Sequence, residues 1–133
     1  RLRIFLRNPE QPRTAAAYSD DGGESWYGVA HQEALPDPEC QSHVLRIRHG
    51  DRDAWLFSNP EDEHSRVRGV IKYSSDGTET WEASRLLEPG EFAYSCMAQL
   101  PDGQIGILYE GDDLTQYFAK FPVEWVLGTD SEA

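Results

Sequence analysis

Long hydrophobic runs are absent from this 133-residue sequence, and positive charge is scarce. No apolar stretch approaches the ~18–20 residues that a membrane-spanning helix needs, so we expect no membrane span here. The formal net charge of −12 disfavours nucleic acid and anionic membranes as general partners, because both bind basic surfaces. Hydrophobic residues make up 38% of the sequence, enough for the core of one domain and too many for a disordered chain.

Lysine is also rare, since Lys72 and Lys120 stand beside ten arginines. Arginine grips a carboxylate through two parallel hydrogen bonds, which lysine cannot do. The excess of arginine therefore has two explanations of equal weight: recognition of an acidic ligand, or a codon or lineage bias.

Cysteine is nearly absent as well. Cys40 and Cys96 form no CxxC motif and establish no disulfide, so we expect buried free thiols, and the redox compartment stays open. The four histidines show no metal-ligand spacing and are expected to be solvated. They are His31, His43, His49 and His64. We expect neither a metal nor a cofactor.

The order of apolar runs and turn residues predicts an all-β fold of about nine short strands with a short C-terminal helix. The predicted strands are residues 1–7, 14–19, 43–48, 54–57, 67–74, 83–87, 94–100, 104–110 and 117–121, with 43–48 and 54–57 forming a hairpin around the turn His49-Gly50-Asp51. Proline-bearing loops are predicted at 35–40 and 59–64. Pro122 suits the first turn of a helix at 122–127, because its missing N–H has no partner there, and a polar tail follows at 128–133.

Two segments that lie 55 residues apart have nearly the same sequence. YSDDGGESW at residues 18–26 and YSSDGTETW at 73–81 align position by position. A recurrence at this spacing fits one four-stranded blade of a β-propeller, which takes roughly 40–50 residues plus insertions. Two such units cannot close a propeller, and the chain begins in a strand pattern at Arg1 in place of Met. We therefore expect a piece of a longer or processed polypeptide.

The repeated motif has a structural explanation. Asp21 and Asp76 can accept hydrogen bonds from N–H groups of their own turns, and the tryptophan that ends each copy is expected to pack beneath the turn. A calcium loop is disfavoured, because it needs six or more oxygen ligands and no EF-hand spacing follows. The two copies, at residues 19–26 and 74–81, resemble the Asp boxes (BNR repeats) of sialidases, although Thr78 stands where glycine is usual.

The segment FAYSCMAQLPDGQIGILYEG, residues 92–111, predicts two strands joined by a PDG turn. Taken alone, its tyrosine would be a packing residue. The segment is similar to the one that carries the tyrosine nucleophile of sialidases, and this resemblance makes Tyr94 the expected catalytic residue. A carboxylate nucleophile would be repelled by the carboxylate of sialic acid, whereas a phenol is not; with an ordinary pKa of about 10, the phenol needs a neighbouring base. Glu110 resembles the family glutamate that braces the first of three substrate-binding arginines.

Two arginines resemble the second and third members of that carboxylate clamp. Arg7 ends the pattern LRIFLR ahead of the first Asp box, where it would otherwise be read as an exposed strand end, and Arg66 follows SNP ahead of the second box. Arg68 is a rival for the role of Arg66, and both could border the pocket because residues two apart on a strand point the same way. Gln41, in CQSH, resembles a family segment at the pocket entrance and is a candidate contact for the polar arm of the substrate.

The resemblance implies the C-terminal portion of a six-bladed β-propeller exo-α-sialidase, spanning residues 1–133. Such an enzyme hydrolyses terminal sialic acid from glycoconjugates with retention. The acid/base aspartate, the glutamate that activates the tyrosine and the first arginine have no counterparts in the sequence, so we expect them on N-terminal blades that this chain does not contain. The isolated chain is expected to be inactive and poorly stable. The alternative is a non-catalytic Asp-box propeller that binds acidic or sialylated glycans.

Overall fold

The computed structural model describes residues 1–129, and the rest of the expected polar tail lies outside the described residues. The strands are β1 (Leu2–Leu6), β2 (Arg13–Ser19), β3 (Tyr27–Pro36), β4 (His43–His49), β5 (Arg52–Pro60), β6 (Val67–Ser74), β7 (Ala83–Glu91), β8 (Ser95–Gln99), β9 (Ile105–Glu110) and β10 (Gln116–Phe121). A 3₁₀ turn at Asp112–Leu114 precedes β10, and the helix α1 (Val123–Leu127) follows it. The predicted all-β fold with a short C-terminal helix is confirmed.

The strands form three antiparallel sheets, in the orders β1-β2-β3, β4-β5-β6-β7 and β8-β9-β10. Each sheet is built from strands that are consecutive in the sequence, as expected for propeller blades. The second sheet contacts both of the others: the rings of Phe5 on β1 and Phe57 on β5 lie 5.7 Å apart, and β4 and β5 contact β8. The largest cluster of buried side chains is Ile47, Ala54, Leu56, Ile71, Tyr73, Phe92, Met97, Ile105, Ile107, Tyr109, Phe121, Val123 and Val126.

Two predicted hairpins are confirmed in register. His49 pairs with Arg52, so Gly50 and Asp51 form the turn between β4 and β5, and Gly50 takes a φ of +66° that favours glycine. The PDG turn joins β8 to β9, and its Gly103 has a φ of +87°. Turn residues with positive φ therefore set both registers.

The strand β3 was not predicted. Most of its residues are exposed, and its centre carries the polar sequence His31-Gln32-Glu33, so it lacks the apolar alternation of a half-buried strand. The extended conformation of β3 is therefore stabilised by its pairing with β2 and not by its own sequence pattern. The predicted loop at 35–40 accordingly begins only after Pro36, and the loop predicted at 59–64 begins after Pro60, the last residue of β5.

The helix is also one residue shorter than predicted. Pro122 is its N-cap, with φ −75° and ψ 154°, and stands outside the first turn. Gly128 ends the helix in the left-handed conformation, with φ +73°. Within residues 1–129, no helix is long and apolar enough to cross a bilayer.

Both Asp boxes form the same hydrogen-bonded turn. Asp21 accepts from the N–H of Ser25 at 2.9 Å, and the hydroxyl of Ser19 accepts from the N–H of Gly23 at 2.9 Å. In the second box the corresponding distances are 2.9 Å, from Thr80 to Asp76, and 3.0 Å, from Thr78 to Ser74. Hydrogen bonds from Ser25 to the charged carboxylate lower the pKa of Asp21 to about 2.

The second box contains a residue in a strained conformation. Thr78 has φ +76°, where the first box has glycine. Arg3 on β1 donates from Nε to the Thr78 hydroxyl at 3.0 Å, and its guanidinium lies 4.1 Å from the ring of Tyr18, next to the first box. These contacts offset the strain and tie the two boxes together.

The two box tryptophans behave differently. Trp81 packs as expected, with its ring 5.6 Å from Phe57 and 6.3 Å from Phe5. Trp26 is 40% exposed and instead donates from its indole N–H to the carbonyl of Gly23 at 3.1 Å. The expectation that both tryptophans pack beneath their turns holds for one of them.

One face of the third sheet is apolar and exposed. Cys96, Leu108 and Phe118 lie in register on three adjacent strands, and Phe118 is 64% exposed. The opposite face carries Met97 and Ile107, which are buried in the core. The expectation that Cys96 is buried is therefore wrong for the described chain.

Gly69 is required for close packing beneath the nucleophile segment. A Cβ at this position would lie 2.1 Å from the ring of Phe92, which is fully buried two residues before Tyr94. We expect Gly69→Ala to destabilise the chain by about 1–3 kcal/mol, because overpacking forces the ring aside. Urea unfolding followed by tryptophan fluorescence measures this. The control is Gly90→Ala, whose Cβ would meet only the flexible Glu88 carboxylate at 3.4 Å; equal losses in both variants would contradict the packing argument.

Candidate functional site

Tyr94 stands immediately before β8, and Glu110 holds its backbone. The Tyr94 N–H donates to Oε1 of Glu110 at 3.2 Å, and the N–H of Glu110 donates to the Tyr94 carbonyl at 3.0 Å. The side chain of Tyr94 is 44% exposed, so its ring stands on the surface while its backbone is fixed. The residue is accessible and positioned by a neighbouring strand end.

Two of the predicted arginines meet at this ring. Arg7, just after β1, donates from Nη1 to the Tyr94 hydroxyl at 3.2 Å. Arg66, just before β6, has its guanidinium carbon 5.6 Å from the Tyr94 ring centre and donates to the carbonyl of Glu39 at 3.1 Å. Residues from all three sheets therefore converge on one phenol, with two fixed positive charges beside it.

Arg68 lies elsewhere. It has φ +64° and sits where the pairing of β6 with β7 is irregular, between Val67 and Gly69. This bulge interrupts the alternation of side chains, so the expected shared orientation of Arg66 and Arg68 does not occur. The guanidinium of Arg68 instead lies 3.7 Å from the carboxylate of Glu61.

A tightly folded loop lies behind the arginines. Its centre is Asp37, only 2% exposed, which accepts from the N–H of Cys40 at 3.0 Å and from the amide of Asn59 at 3.1 Å. Burial raises the pKa of Asp37, against the opposing effect of these hydrogen bonds and the Arg7 charge. The loop turns at Glu39, which has φ +63° and presents its carbonyl to Arg66.

The side chain of Gln41 lies on the backbone of the residue after Tyr94. Its Oε1 accepts from the N–H of Ser95 at 3.0 Å, and its Nε2 donates to the Ser95 carbonyl at 3.1 Å. Ser58 contacts the same residue through the two hydroxyls, at 2.7 Å. The contact between Ser58 and Ser95 could not be predicted from the sequence, because 37 residues separate them and no pattern links the two segments.

Three histidines are not solvated as expected, and the first, His31, lies 3.1 Å from Oδ1 of Asn8. His43 accepts at Nδ1 from the N–H of Met97 at 2.9 Å, and burial lowers the pKa of His43, which favours the neutral ring that this bond needs. His49 lies 3.2 Å from the Tyr73 hydroxyl and 3.4 Å from the Glu124 carboxylate. Within residues 1–129 no group of three or more His, Cys, Asp or Glu side chains could hold a metal ion.

A shallow cleft of about 360 Å³ opens beside the tyrosine; it is lined by Gln41, Tyr94, Ser95, Cys96, Leu108, Glu110 and Gln116. Among the described residues, no carboxylate hydrogen-bonds to the Tyr94 hydroxyl. The arrangement can hold an anion next to a phenol, since guanidinium groups bind carboxylates through charge-assisted hydrogen bonds.

Three sheets of consecutive strands with two Asp-box turns define the chain as a set of Asp-box propeller blades. The model of the family described as "BNR repeat-like domain" matches residues 1–107, and the chain belongs to this family. It is similar to a sialidase of Micromonospora viridifaciens, with 33% identity over 135 residues covering 95% of this chain and 21% of the relative. It is also similar to a sialidase of Bacteroides fragilis, with 32% identity over 117 residues covering 82% and 22%.

A solved structure supports the same relationship. The Hadza microbial sialidase Hz136 superimposes with a TM-score of 0.85 and 28% sequence identity, covering 93% of this chain and 25% of that protein. The chain thus spans about a fifth of the length of the curated relatives described above.

The packing of the loop behind the arginines can be tested through its cysteine. Burial raises the pKa of the Cys40 thiol to about 11, so little thiolate is present at pH 8. We expect iodoacetamide to alkylate Cys40 at least ~10-fold more slowly than the exposed Cys96. Mass spectrometry of the peptides measures both rates, and unfolding in urea should make them similar. Equal rates in the folded chain would mean that the loop is open.

Proposed function

We propose that this chain is part of an exo-α-sialidase and carries its nucleophile, Tyr94, with two arginines of its carboxylate clamp. The observation that supports this most is the meeting of Arg7 and Arg66 at the ring of Tyr94, across a sequence separation of 87 residues for Arg7. The similarity to sialidases supplies the substrate class, sialylated glycans.

In the proposed reaction, Arg7 and Arg66 hold the carboxylate of a terminal sialic acid. This places the anomeric carbon over the hydroxyl of Tyr94, which gives its proton to a base and attacks that carbon, while the glycosidic oxygen departs with a proton from an acid. Water then cleaves the sugar–tyrosine bond, so the configuration is retained. A neutral phenol suits this attack because it does not repel the substrate carboxylate that the arginines have just bound.

The acid/base aspartate, the base that activates the phenol and the first arginine of the clamp come, in this proposal, from other segments of the whole protein. Glu110 would brace that first arginine: its Oε1 is bound to Tyr94, and its Oε2 makes no hydrogen bond within residues 1–129. The exposed face of Cys96, Leu108 and Phe118 would dock against a further blade of the same propeller. The chain by itself is then inactive.

Tyr94→Phe tests the nucleophile. In the whole protein that contains this chain, we expect the substitution to lower kcat on a fluorogenic sialoside by at least about 100-fold, because the attacking oxygen is removed. Tyr27→Phe is the matched control, since Tyr27 is also 44% exposed and belongs to the first sheet; its activity should stay at the wild-type level.

The outcomes separate the alternatives. A whole protein that binds sialosides but hydrolyses none would support the non-catalytic glycan-binding propeller, and full activity of Tyr94→Phe would refute the nucleophile. Turnover by the isolated chain would refute the idea that other segments complete the site. Analysis of the product distinguishes hydrolysis, which releases free sialic acid, from transfer, which uses the same residues.

Arg66→Lys tests the clamp. The planar guanidinium can bind a carboxylate through two hydrogen bonds and lysine cannot, so we expect KM to rise about 10-fold or more. Arg46→Lys serves as the control, because Arg46 is an exposed arginine that binds Asp53. The Michaelis constants for a fluorogenic sialoside decide the matter; an unchanged KM in Arg66→Lys would remove Arg66 from the clamp.

A further inference from the structure

We propose that Gln41 is a positioning residue for Tyr94, acting through the backbone of Ser95 and not through the substrate. This inference rests on the proposed function, because it assigns a role in placing the proposed nucleophile. It replaces the expectation that Gln41 contacts the polar arm of the substrate with a specific structural role.

Ser95 is held at every polar atom it has. Its N–H and its carbonyl both bond to the carboxamide of Gln41, at 3.0 and 3.1 Å, and its hydroxyl lies 2.7 Å from that of Ser58. Ser95 is 4% exposed, so water cannot compete effectively for these bonds. Tyr94, bound on its other side by Glu110, is therefore fixed between two anchors.

The contact belongs to a series along one edge of β8. The N–H groups of Ser95 and Met97 bond to side chains of Gln41 and His43, in place of a neighbouring strand. Two residues further on, the carboxamide of Gln99 accepts from the N–H of Arg48 at 2.9 Å and donates to its carbonyl at 2.8 Å. The side chains of Gln41 and His43 thus close the edge of β8 that does not pair with β9, whereas Gln99 extends its own side chain from β8 to the backbone of β4.

The donors of Gln41 are fully used. Its Nε2 donates to the carbonyls of Ser42 and Ser95, at 2.9 and 3.1 Å, and a carboxamide nitrogen has two hydrogens. One lone pair of Oε1 remains after the bond from Ser95. A substrate acceptor could therefore bind this side chain only by releasing the backbone next to Tyr94, and a substrate hydroxyl could at most donate to the remaining lone pair of Oε1.

The same loop also contacts the clamp. Asp37 folds the segment that leads to Gln41, and the carbonyl of Glu39 accepts from Arg66 at 3.1 Å. A single residue, Cys40, thus separates Glu39, which holds Arg66, from Gln41, which holds Ser95. The loop sets the spacing between the proposed nucleophile and one arm of the clamp.

The experiment compares Gln41→Met with Gln99→Met in the whole active protein. Each variant removes a carboxamide that bonds to both the N–H and the carbonyl of one residue, which is Ser95 for Gln41 and Arg48 for Gln99. Only the bonds of Gln41 lie next to Tyr94. We expect Gln41→Met to lower kcat about 10–100-fold with KM changed less than about threefold, because small misplacement of a reacting group is costly. Gln99→Met should keep kcat within about twofold of wild type, since it leaves the Ser95 anchor intact.

A partial rescue strengthens the test. Gln41→Glu keeps an acceptor for the Ser95 N–H but places a carboxylate against the Ser95 carbonyl, so its kcat should lie between wild type and Gln41→Met. A rise in KM with unchanged kcat in Gln41→Met would overturn the proposal in favour of a substrate contact. Equal losses of kcat in Gln41→Met and Gln99→Met would overturn it in favour of a general structural role.

Amide hydrogen exchange, read by NMR, keeps the inference testable if the wild-type protein hydrolyses no sialoside. Gln41→Met should then accelerate exchange of the Ser95 N–H by more than about 10-fold, while Gln99→Met leaves it unchanged. Unaltered Ser95 exchange in Gln41→Met would overturn the anchor itself. A protein that hydrolyses no sialoside but shows this change in exchange would refute the proposed function and leave the anchor by Gln41 standing.

Discussion

Hydrogen bonds from side chains to the backbone of β8 join the second and third sheets, and the geometry around Tyr94 depends on them. Separate sheets of a propeller share no strand-to-strand ladder, so their relative position has to be set by side chains. Here Gln41 and His43 do this along one strand edge. The loop folded by Asp37 adds Arg66 to the same frame.

The electrostatics of the site contrast with those of the whole chain. The net charge is −12, yet Arg7 and Arg66 place two positive charges at one phenol. Asp37, the buried carboxylate behind them, is held by neutral donors, and burial raises its pKa. A negative surface around a small positive site restricts strong anion binding to the place where the arginines converge.

Features that depend on residues close together in the sequence could be predicted from it. Features that depend on contacts with residues far away in the sequence could not. Positive-φ turn residues and the Ser–Asp–Ser/Thr spacing predicted both hairpins and both Asp boxes, because a turn is stabilised within itself. The strand β3 escaped prediction, since pairing alone orders its exposed polar residues. The roles of His43 and Ser58 were equally invisible, because their partners lie 54 and 37 residues away. Similarly, the alternation of side chains along a strand predicted that Arg68 would point the same way as Arg66, but the pairing of β6 with β7 is irregular at Arg68.

The anchoring of Ser95 has a consequence for the order of folding. The four strands of the second sheet are joined by short connections and can pair early, whereas the bonds from Gln41 and Ser58 to Ser95 close loops of 54 and 37 residues. Contacts of such long sequence separation form late. The arrangement around Tyr94 would thus be among the last parts of this chain to become native. An incompletely folded chain would then contain Tyr94 without the bonds to Ser95 that position it.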